Sequence, residues 1–452
     1  LALNFLATRF TCSWPWDILV MLCDGRVVCG CSDPYARRVL GDTRTASIRE
    51  IWTGDTIRGL RHDLNGGGSK FCGDCPLKLP LIKGAPPPQR NLDVGPSPSR
   101  MYIECTAACN ISCYQACCAP ETGITRTREA GMLDYDLFTR VINEAGPSLG
   151  RVDFFNYGEA FLHKRAVDMC AYIKQSFPHI YLYTSTNGLA LKDESARRLV
   201  HTGIDEVTFS IDGASQEAYA RYRQRGRLDV ALANLRAMAE EKRAHGLDVP
   251  VINWRYILFT WNDSDHEMDR ARALAAEIGV DRLTWEITDH PEDGYSRRFV
   301  PGTPDHDRIR YEIWDHNNLG NAVPGAMPRA RIDVGLASGV PVIARRARTL
   351  TVHTRVHNLS TRPFPRTASY GRRLVRLGAQ LCDASGAVVD RDYARAWLPH
   401  TLDGGQRADV PIDVPAPARP GRYRLKFDLV LEGVDWFESC GSQTTSTPFW
   451  VW

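Results

Sequence analysis

Cysteine placement constrains this chain more than any other feature. Eleven of its fourteen cysteines fall within the first 118 of 452 residues: Cys12, Cys23, Cys29, Cys31, Cys72, Cys75, Cys105, Cys109, Cys113, Cys117 and Cys118. Only Cys170, Cys382 and Cys440 lie beyond them. That density is too low for a disulfide scaffold. The opening Leu1-Ala2-Leu3-Asn4-Phe5-Leu6 is also too short for a secretory signal, so an oxidising compartment is not expected. Close cysteine groups then read as metal or cluster ligands. Soft thiolates select zinc, copper(I) or iron–sulfur clusters.

Composition narrows the partners. Lys and Arg number 56 and Asp and Glu 53, a net charge of +3. Bulk attraction to nucleic acid or a membrane surface is therefore not expected. No apolar run reaches 18 residues, so no transmembrane helix is expected and the location reads as cytoplasmic. Hydrophobic residues at 43% and charged residues at 24% exclude wholesale disorder. The chain opens on Leu1 and not on Met, which leaves room for an upstream segment.

The chain divides into a cysteine-rich module at 1–83, a linker at 84–99, an α/β region at 100–299, a polar connection at 300–335 and a strand-rich region at 336–452. In the first, Ile18–Leu22 and Arg26–Val28 flank Asp24-Gly25, the signature of a β-hairpin. The linker is rich in proline. In the α/β region, short apolar runs at Met101–Ile103, Val152–Phe155, Ile180–Tyr183, Glu206–Ile211, Ile252–Phe259 and Leu283–Ile287 alternate with helical patterns. One such helix carries Leu228, Ala231, Leu232, Leu235 and Met238 on a single stripe. Another runs through Met268, Ala271, Ala275 and Ile278 and stops at Gly279. Six βα units predict a partial barrel with a parallel sheet. In the last region, Leu350, Val352, Thr354 and Val356 alternate with polar residues, as do Tyr423, Leu425, Phe427 and Leu429. That pattern predicts an all-β sandwich.

Four cysteines spaced four apart, Cys105, Cys109, Cys113 and Cys117, follow the first strand of the α/β region. Ligands to a cubane cluster must converge from a short loop, and barrel active sites form at the C-terminal ends of strands. A zinc knot, or thiols packed as small hydrophobes, would be the plain alternatives.

Here the sequence resembles the radical SAM superfamily. In that family a CxxxCxxC loop after the first strand binds three irons of a [4Fe–4S] cluster. The fourth iron chelates S-adenosylmethionine (SAM), whose reductive cleavage gives a 5′-deoxyadenosyl radical. Cys109-Asn110-Ile111-Ser112-Cys113 looks like the first half of the motif. The third cysteine, Cys117, comes one residue late, with Cys118 the alternative and Cys105 available to a shifted register. The resemblance extends to Gly158 and Glu159, similar to the family's SAM-binding GE motif. It also includes Thr186-Asn187-Gly188, Ser210 in Ser-Ile-Asp-Gly, and Tyr219, Arg223 and Gly226 in a YxxxRxxG pattern. By the same resemblance Gly158, Glu159, Asn187, Ser210, Arg223 and Asn262 are candidate SAM contacts.

The N-terminal module resembles the SPASM or twitch domain of the same enzymes, which binds an auxiliary [4Fe–4S] cluster. Its signature here is Ser47-Ile48-Arg49-Glu50-Ile51-Trp52 ahead of Cys72-Gly73-Asp74-Cys75. The module usually follows the barrel and here precedes it. One auxiliary cluster is implied, held by Cys12, by Cys29 or Cys31, and by Cys72 and Cys75, with a Cys₄ zinc site as the alternative. Cys29 and Cys31 would share a strand face.

The resemblance implies a radical SAM oxidoreductase or mutase acting on a peptide or sugar-type substrate, supplied with electrons by a reductase or a ferredoxin- or flavodoxin-like donor. A radical SAM methylase or epimerase, and a zinc-stabilised interaction protein, are the alternatives. Trp397, Trp436, Phe437, Trp450 and Trp452 read as sandwich core or as a binding face. His163, just past the Gly-Glu turn, is a candidate for proton transfer, while His266 and His290 read as surface residues.

Overall fold

The computed structural model describes residues 8–73, 75–81, 87, 89–115, 128, 131–300, 303–309, 312–313, 329–335, 340–360, 363–366, 375–431, 435–440 and 442–452. The chain forms two compact units, Leu1–Asp307 and Arg308–Trp452.

In the first unit, β1 (Phe10–Thr11) pairs at a distance with a later two-residue strand. Next come β2 (Ile18–Met21), β3 (Arg26–Val28) and β4 (Val39–Asp42), an antiparallel meander. Gly25 sits at φ +89° in the β2–β3 turn, and Asp24 accepts the Arg26 N–H there. A capping box between Ser47 and Glu50 opens the helix Ile48–Thr53, which buries Ile48, Ile51 and Trp52. The following helix, Asp55–Asn65, carries Arg61 under the Trp52 ring. Arg61 donates to the carbonyls of Pro15 and Trp52, so a buried cation ties three segments together. β5 (Leu79–Pro80) then closes on β1.

The barrel follows. β6 (Arg100–Ile103) leads into the cysteine loop, which contains the short β7 (Ser112–Cys113). β8 (Arg151–Asp153), β9 (Tyr181–Thr186) and β10 (Glu206–Ser210) come next. The two-residue β11 (Arg223–Gln224) precedes β12 (Val251–Ile257) and β13 (Arg282–Glu286). The six long strands β6, β8, β9, β10, β12 and β13 are parallel neighbours in that order, with helices between them. This is a partial (β/α)6 barrel. Its sheet does not stop at β6: β2 pairs parallel with it, Ile18 opposite Arg100 and Met21 opposite Ile103. The N-terminal hairpin is therefore the continuation of the barrel sheet, nine strands in all.

Alternation along the barrel strands separates two chemistries. Val152, Leu182, Val207, Ile252, Trp254 and Trp285 lie on the apolar face, all fully buried. The helix Asp265–Ile278 covers this face at one point, where Arg272 lies over Trp285. The opposite face is polar and ion-paired: Asp153 with Arg100 and Arg151, Glu206 with Arg282, and Glu286 with Arg255.

The second unit is a β-sandwich. β14 (Ala330–Val334) pairs with β16 (Thr349–Asn358), which pairs with β19 (Arg407–Pro415). The other sheet holds β15 (Val342–Ala344), β17 (Val375–Cys382), β18 (Val388–Trp397), β20 (Gly421–Leu431), β21 (Asp435–Trp436) and β22 (Thr445–Val451). Residues 330–334, part of the polar connection in the sequence reading, are thus a sandwich strand. Trp436 and Phe437 are buried, whereas Trp397, Trp450 and Trp452 stand 51%, 43% and 62% exposed and are not core. Leu377, Val410, Ile412, Leu425, Phe427 and Phe449 form the centre, each fully buried.

Phe427 fills that centre, so Phe427→Ala is expected to cost about 3–5 kcal/mol by cavity formation. Chemical denaturation followed by tryptophan emission would check this. A loss under about 1 kcal/mol would contradict the packing described.

Candidate radical and auxiliary cluster sites

The loop after β6 is held from several sides. β7 pairs antiparallel with β11, which sets Cys113 opposite Arg223. The Tyr114 N–H donates to the Tyr222 carbonyl at 2.8 Å, and Arg225 Nη2 donates to Ser112 Oγ at 3.0 Å. Arg223 Nη1 lies 3.4 Å from Cys113 Sγ, and its Nε is 2.5 Å from Asp212 Oδ2. Burial works against the Arg223 charge, but the neighbouring Asp212 carboxylate and Cys113 outweigh it and hold the guanidinium charged. A fixed cation beside a ligating sulfur favours its thiolate. Cys109 and Cys113 are both partly exposed. Cys117 and Cys118 lie outside the described residues.

Cys105 behaves differently. It is 1% exposed, with Sγ 3.8 Å from Met169 Sδ. Burial, then the neighbouring Cys170 and Cys23, push its thiol well up. It belongs to the core under the loop, and a cluster register that uses Cys105 has no geometric support.

Gly158 explains why the second βα loop needs glycine. A Cβ there would overlap the Thr106 carbonyl and sit 2.6 Å from that of Ala108. The Glu159 N–H donates to the Ala108 carbonyl at 2.8 Å, so the loop after β8 rests directly on the cysteine loop. Glu159 is 3% exposed, and its carboxylate accepts from Thr186 Oγ1 at 2.8 Å and the Asn187 N–H at 2.7 Å. Desolvation raises its pKa although these donors oppose it. Its carboxylate thus ties two loops together. Asn187 carries the tie onward: Nδ2 donates to Asn110 Oδ1 at 2.7 Å and lies 3.8 Å from Cys109 Sγ. Gly188, at φ +78°, makes the turn behind it.

Ser210 sits at the top of the polar face, bonded to Ser185 Oγ at 3.1 Å and Arg255 Nη2 at 2.9 Å. The Tyr219/Arg223/Gly226 pattern is a packed turn. A Cβ on Gly226 would come within 2.7 Å of the Tyr219 ring, and one on Gly213 would overlap the Tyr219 backbone. Asn262 is fully buried and committed to backbone: Nδ2 donates to the carbonyls of Asp212 and Ile257, and Oδ1 accepts from the Phe259 N–H. It shapes the loop after β12. His163 Nε2 lies 3.0 Å from the Leu133 carbonyl, and burial lowers its pKa.

The second site gathers four thiols from three segments. Cys12 follows β1, Cys29 follows β3, and Cys72 and Cys75 sit on a turn closed by a 2.7 Å bond from the Cys75 N–H to the Cys72 carbonyl. Burial, then the nearby Cys12, Cys72 and Cys75, raise the Cys29 thiol well above its ordinary value. Cys72 is pushed to about 12 by burial and by Cys75 and Cys12, and Cys12 to about 11 mainly by burial. Cys12, Cys29 and Cys72, held back from ionising by burial and by neighbouring thiols, are suited to a cation or cationic cluster that takes them as thiolates. Cys31 departs from the expectation of a shared strand face. β3 ends at Val28, and Gly30 at φ +82° turns the chain, so Cys31 is set against Arg100 and Asp153 on the polar barrel face. Cys29 has Cys12, Cys72 and Cys75 all among its neighbours, whereas Cys31 has only Cys75 of these. Such a donor set suits an iron–sulfur cluster and a Cys₄ zinc ion alike.

The first site also fits its implied groups. Two partly exposed thiols share a loop, a glycine cradle lies beside them, and the Tyr219 hydroxyl is buried near Cys113 and Arg223 with no hydrogen-bond partner. Residues 103–286 match the Radical SAM superfamily, and residues 12–76 match the SPASM iron–sulfur cluster-binding domain. The chain is a radical SAM protein with an N-terminal SPASM module.

Among curated proteins, this radical SAM chain is 35% identical over 114 residues to a tungsten-containing aldehyde ferredoxin oxidoreductase cofactor-modifying protein of Pyrococcus furiosus. That match covers 25% of this chain and 30% of the relative. It is 27% identical over 198 residues to a GTP 3′,8-cyclase of Mycobacterium sp. strain KMS, 39% of this chain and 56% of that one. The chain thus spans from a third to about half of the relatives it matches. Among solved structures, Streptococcus suis SuiB bound to S-adenosylmethionine aligns over 47% of this chain and 46% of its own, at 13% identity and a TM-score of 0.37.

Asp212, Ser185 and Arg255 were not singled out from sequence, and Tyr219 entered only as part of the YxxxRxxG pattern, with no role for its hydroxyl. Their signal is weak: Asp212 lies two residues past Ser210, where β10 ends, and the pairing that sets Arg255 opposite Ser210 is non-local.

Gly158→Ala should displace the cysteine loop, with iron falling by about half and SAM cleavage lost, while Cys105→Ala retains both. Iron analysis of anaerobically reconstituted protein checks the pair. Normal iron in Gly158→Ala would show that the loop tolerates the side chain.

Proposed function

We propose that this chain is a radical SAM enzyme that cleaves SAM reductively and abstracts hydrogen from a peptide or sugar-type substrate, with an auxiliary cluster in the SPASM module assisting. The observation that carries this reading is the cysteine loop with its Arg223–Asp212 pair and its Gly158 cradle. Cys109 and Cys113 would hold the cluster, with Cys117 the expected third ligand. When bound, the cluster and SAM supply an electron and a 5′-deoxyadenosyl radical.

The chain's own residues hold this chemistry in place. Arg223 fixes a positive charge beside Cys113, and Asn187 anchors Asn110 next to Cys109. Ser210, Ser185 and Arg255 present hydrogen-bonding groups at the top of the barrel lumen. The ion pairs below them give the lumen a polar wall suited to a substrate rich in hydroxyl or amide groups. Cys12, Cys29, Cys72 and Cys75 would hold the auxiliary cluster. The β2–β6 pairing puts the hairpin of that module into the barrel sheet, and because β3 runs antiparallel to β2, Cys29 lies toward the N-terminal ends of these strands, whereas the cysteine loop leaves the C-terminal end of β6. An electron leaving a substrate radical could pass to such a cluster. A ferredoxin- or flavodoxin-like donor would supply the reducing electron.

A second reading, modification of an organic cofactor, is favoured by the name of the 35% identical relative. Substrate screening would separate the two.

With dithionite and SAM, reconstituted protein should form 5′-deoxyadenosine, and Cys109→Ala and Cys113→Ala should abolish it. Unchanged product in both variants would sink the assignment. Cys72→Ala with Cys75→Ala should lower iron from about eight to about four per chain, two cubane clusters against one, while SAM cleavage persists. Wild-type protein holding about four irons and one zinc would instead establish the zinc form of the module.

A further inference from the structure

We propose that His201, Glu241 and His245 form a second kind of metal site, one for a single divalent ion of the zinc class, on the outer helical layer of the barrel. The three donor atoms all lie within 4.8 Å of one another. His201 Nε2 is 2.8 Å and His245 Nδ1 3.3 Å from the same oxygen, Glu241 Oε1. A tetrahedral zinc with bonds near 2.0–2.1 Å places its ligands about 3.3 Å apart. His245 Nδ1 also lies 3.0 Å from the Glu241 carbonyl, a bond that it would exchange for the ion.

Three independent features point the same way. The first is spacing. Glu241 and His245 are four apart on the helix Leu228–Ala244 and its cap, so both face His201 at the C-cap of the helix Asp193–Val200. The second is the backbone. His201 is the C-cap of one helix and His245 the C-cap of the other, so two negative helix ends converge where a cation would sit. The third is the surrounding charge. Arg197 Nη1 donates to Glu241 Oε2 at 3.1 Å, which leaves Oε1 to the ion and fixes a monodentate carboxylate. Arg197 also pairs with Asp193 at 2.8 Å and lies 3.7 Å from Glu240, so three carboxylates share one guanidinium. A dication completes that balance. Two imidazoles with a carboxylate suit zinc, nickel or cobalt better than calcium or magnesium.

Both helices end just before β10 and β12 begin, so the site lies at the N-terminal ends of the strands, away from the cysteine loop. That face of a barrel serves stability. The ion would clip two neighbouring helices together, apart from the SAM chemistry and independent of it.

The test uses anaerobically reconstituted protein, its cysteine sites filled with iron, titrated with zinc against a chromogenic chelator. One zinc per chain should bind in the micromolar range and raise the melting temperature. His201→Gln and His245→Gln should each weaken binding at least tenfold, with iron content and 5′-deoxyadenosine formation unchanged. Equal zinc affinity in wild type and both variants, or no binding tighter than the millimolar range, would overturn the site. Should a variant lose iron through misfolding, X-ray absorption on the zinc-loaded wild type decides. Imidazole and oxygen scatterers support the site, and sulfur scatterers refute it.

Discussion

The parallel pairing of β2 with β6 is the constraint on which both cysteine sites depend. Its ladder runs from Ile18–Arg100 to Met21–Ile103 and extends one step further, where the Glu104 N–H donates to the Met21 carbonyl. There Glu104 Oε1 also caps the Cys23 N–H and meets Arg128 in a fully buried ion pair. The residue just before the cysteine loop is therefore bonded to the hairpin of the auxiliary module through both backbone and side chain. A buried carboxylate needs such partners, since desolvation alone would disfavour its charge. The barrel sheet thus runs on into the hairpin of the cysteine-rich module, and the start of the cysteine loop is tied to that hairpin.

The loops above the sheet are positioned by close backbone contact more than by side-chain reach. Gly158 lets one loop lie against the carbonyls of another, and Gly226 and Gly213 do the same around Tyr219. Motifs that read as ligand contacts turn out to carry structural work first. Glu159 and Asn262 use their polar atoms on neighbouring loops. Arg223 uses its Nε on Asp212 and keeps Nη1 against Cys113. Such ties restrict the loop's rotamers before any ligand arrives, which is what preorganisation means here.

Local pattern made much of this legible in the sequence. The six barrel strands fall on the apolar runs because each is short, buried on its helix-facing side and flanked by helical periodicity. Asp24-Gly25 announced its hairpin because few residues accept the required φ. What stayed hidden is non-local. Nothing in Ile18–Met21 says that its partner is a strand some eighty residues on. Choosing Cys29 over Cys31 turns on the positive φ of Gly30, and an alternating strand pattern cannot show where the strand ends. Arg61 reads as a polar helix residue, yet its cation is stacked on Trp52. The third ligand expected at Cys117 falls outside the described residues.

The two faces of the barrel strands explain how one sheet supports both a stable fold and a reactive centre. On the helix side, Trp254, Tyr256 and Trp285 exclude water, and the stability of the unit rests there. On the lumen side five of the six barrel strands carry charge, β9 presenting Tyr181, Tyr183 and Ser185 instead, and each charge is answered by a neighbour: Arg100 and Arg151 by Asp153, Arg282 by Glu206, Arg255 by Glu286. An apolar lumen would collapse and fill with side chains, as closed barrels do. Here the lumen-side carboxylates of Asp153 and Glu206 are fully buried against their arginines, so the inner face is built of paired polar groups instead of an apolar core.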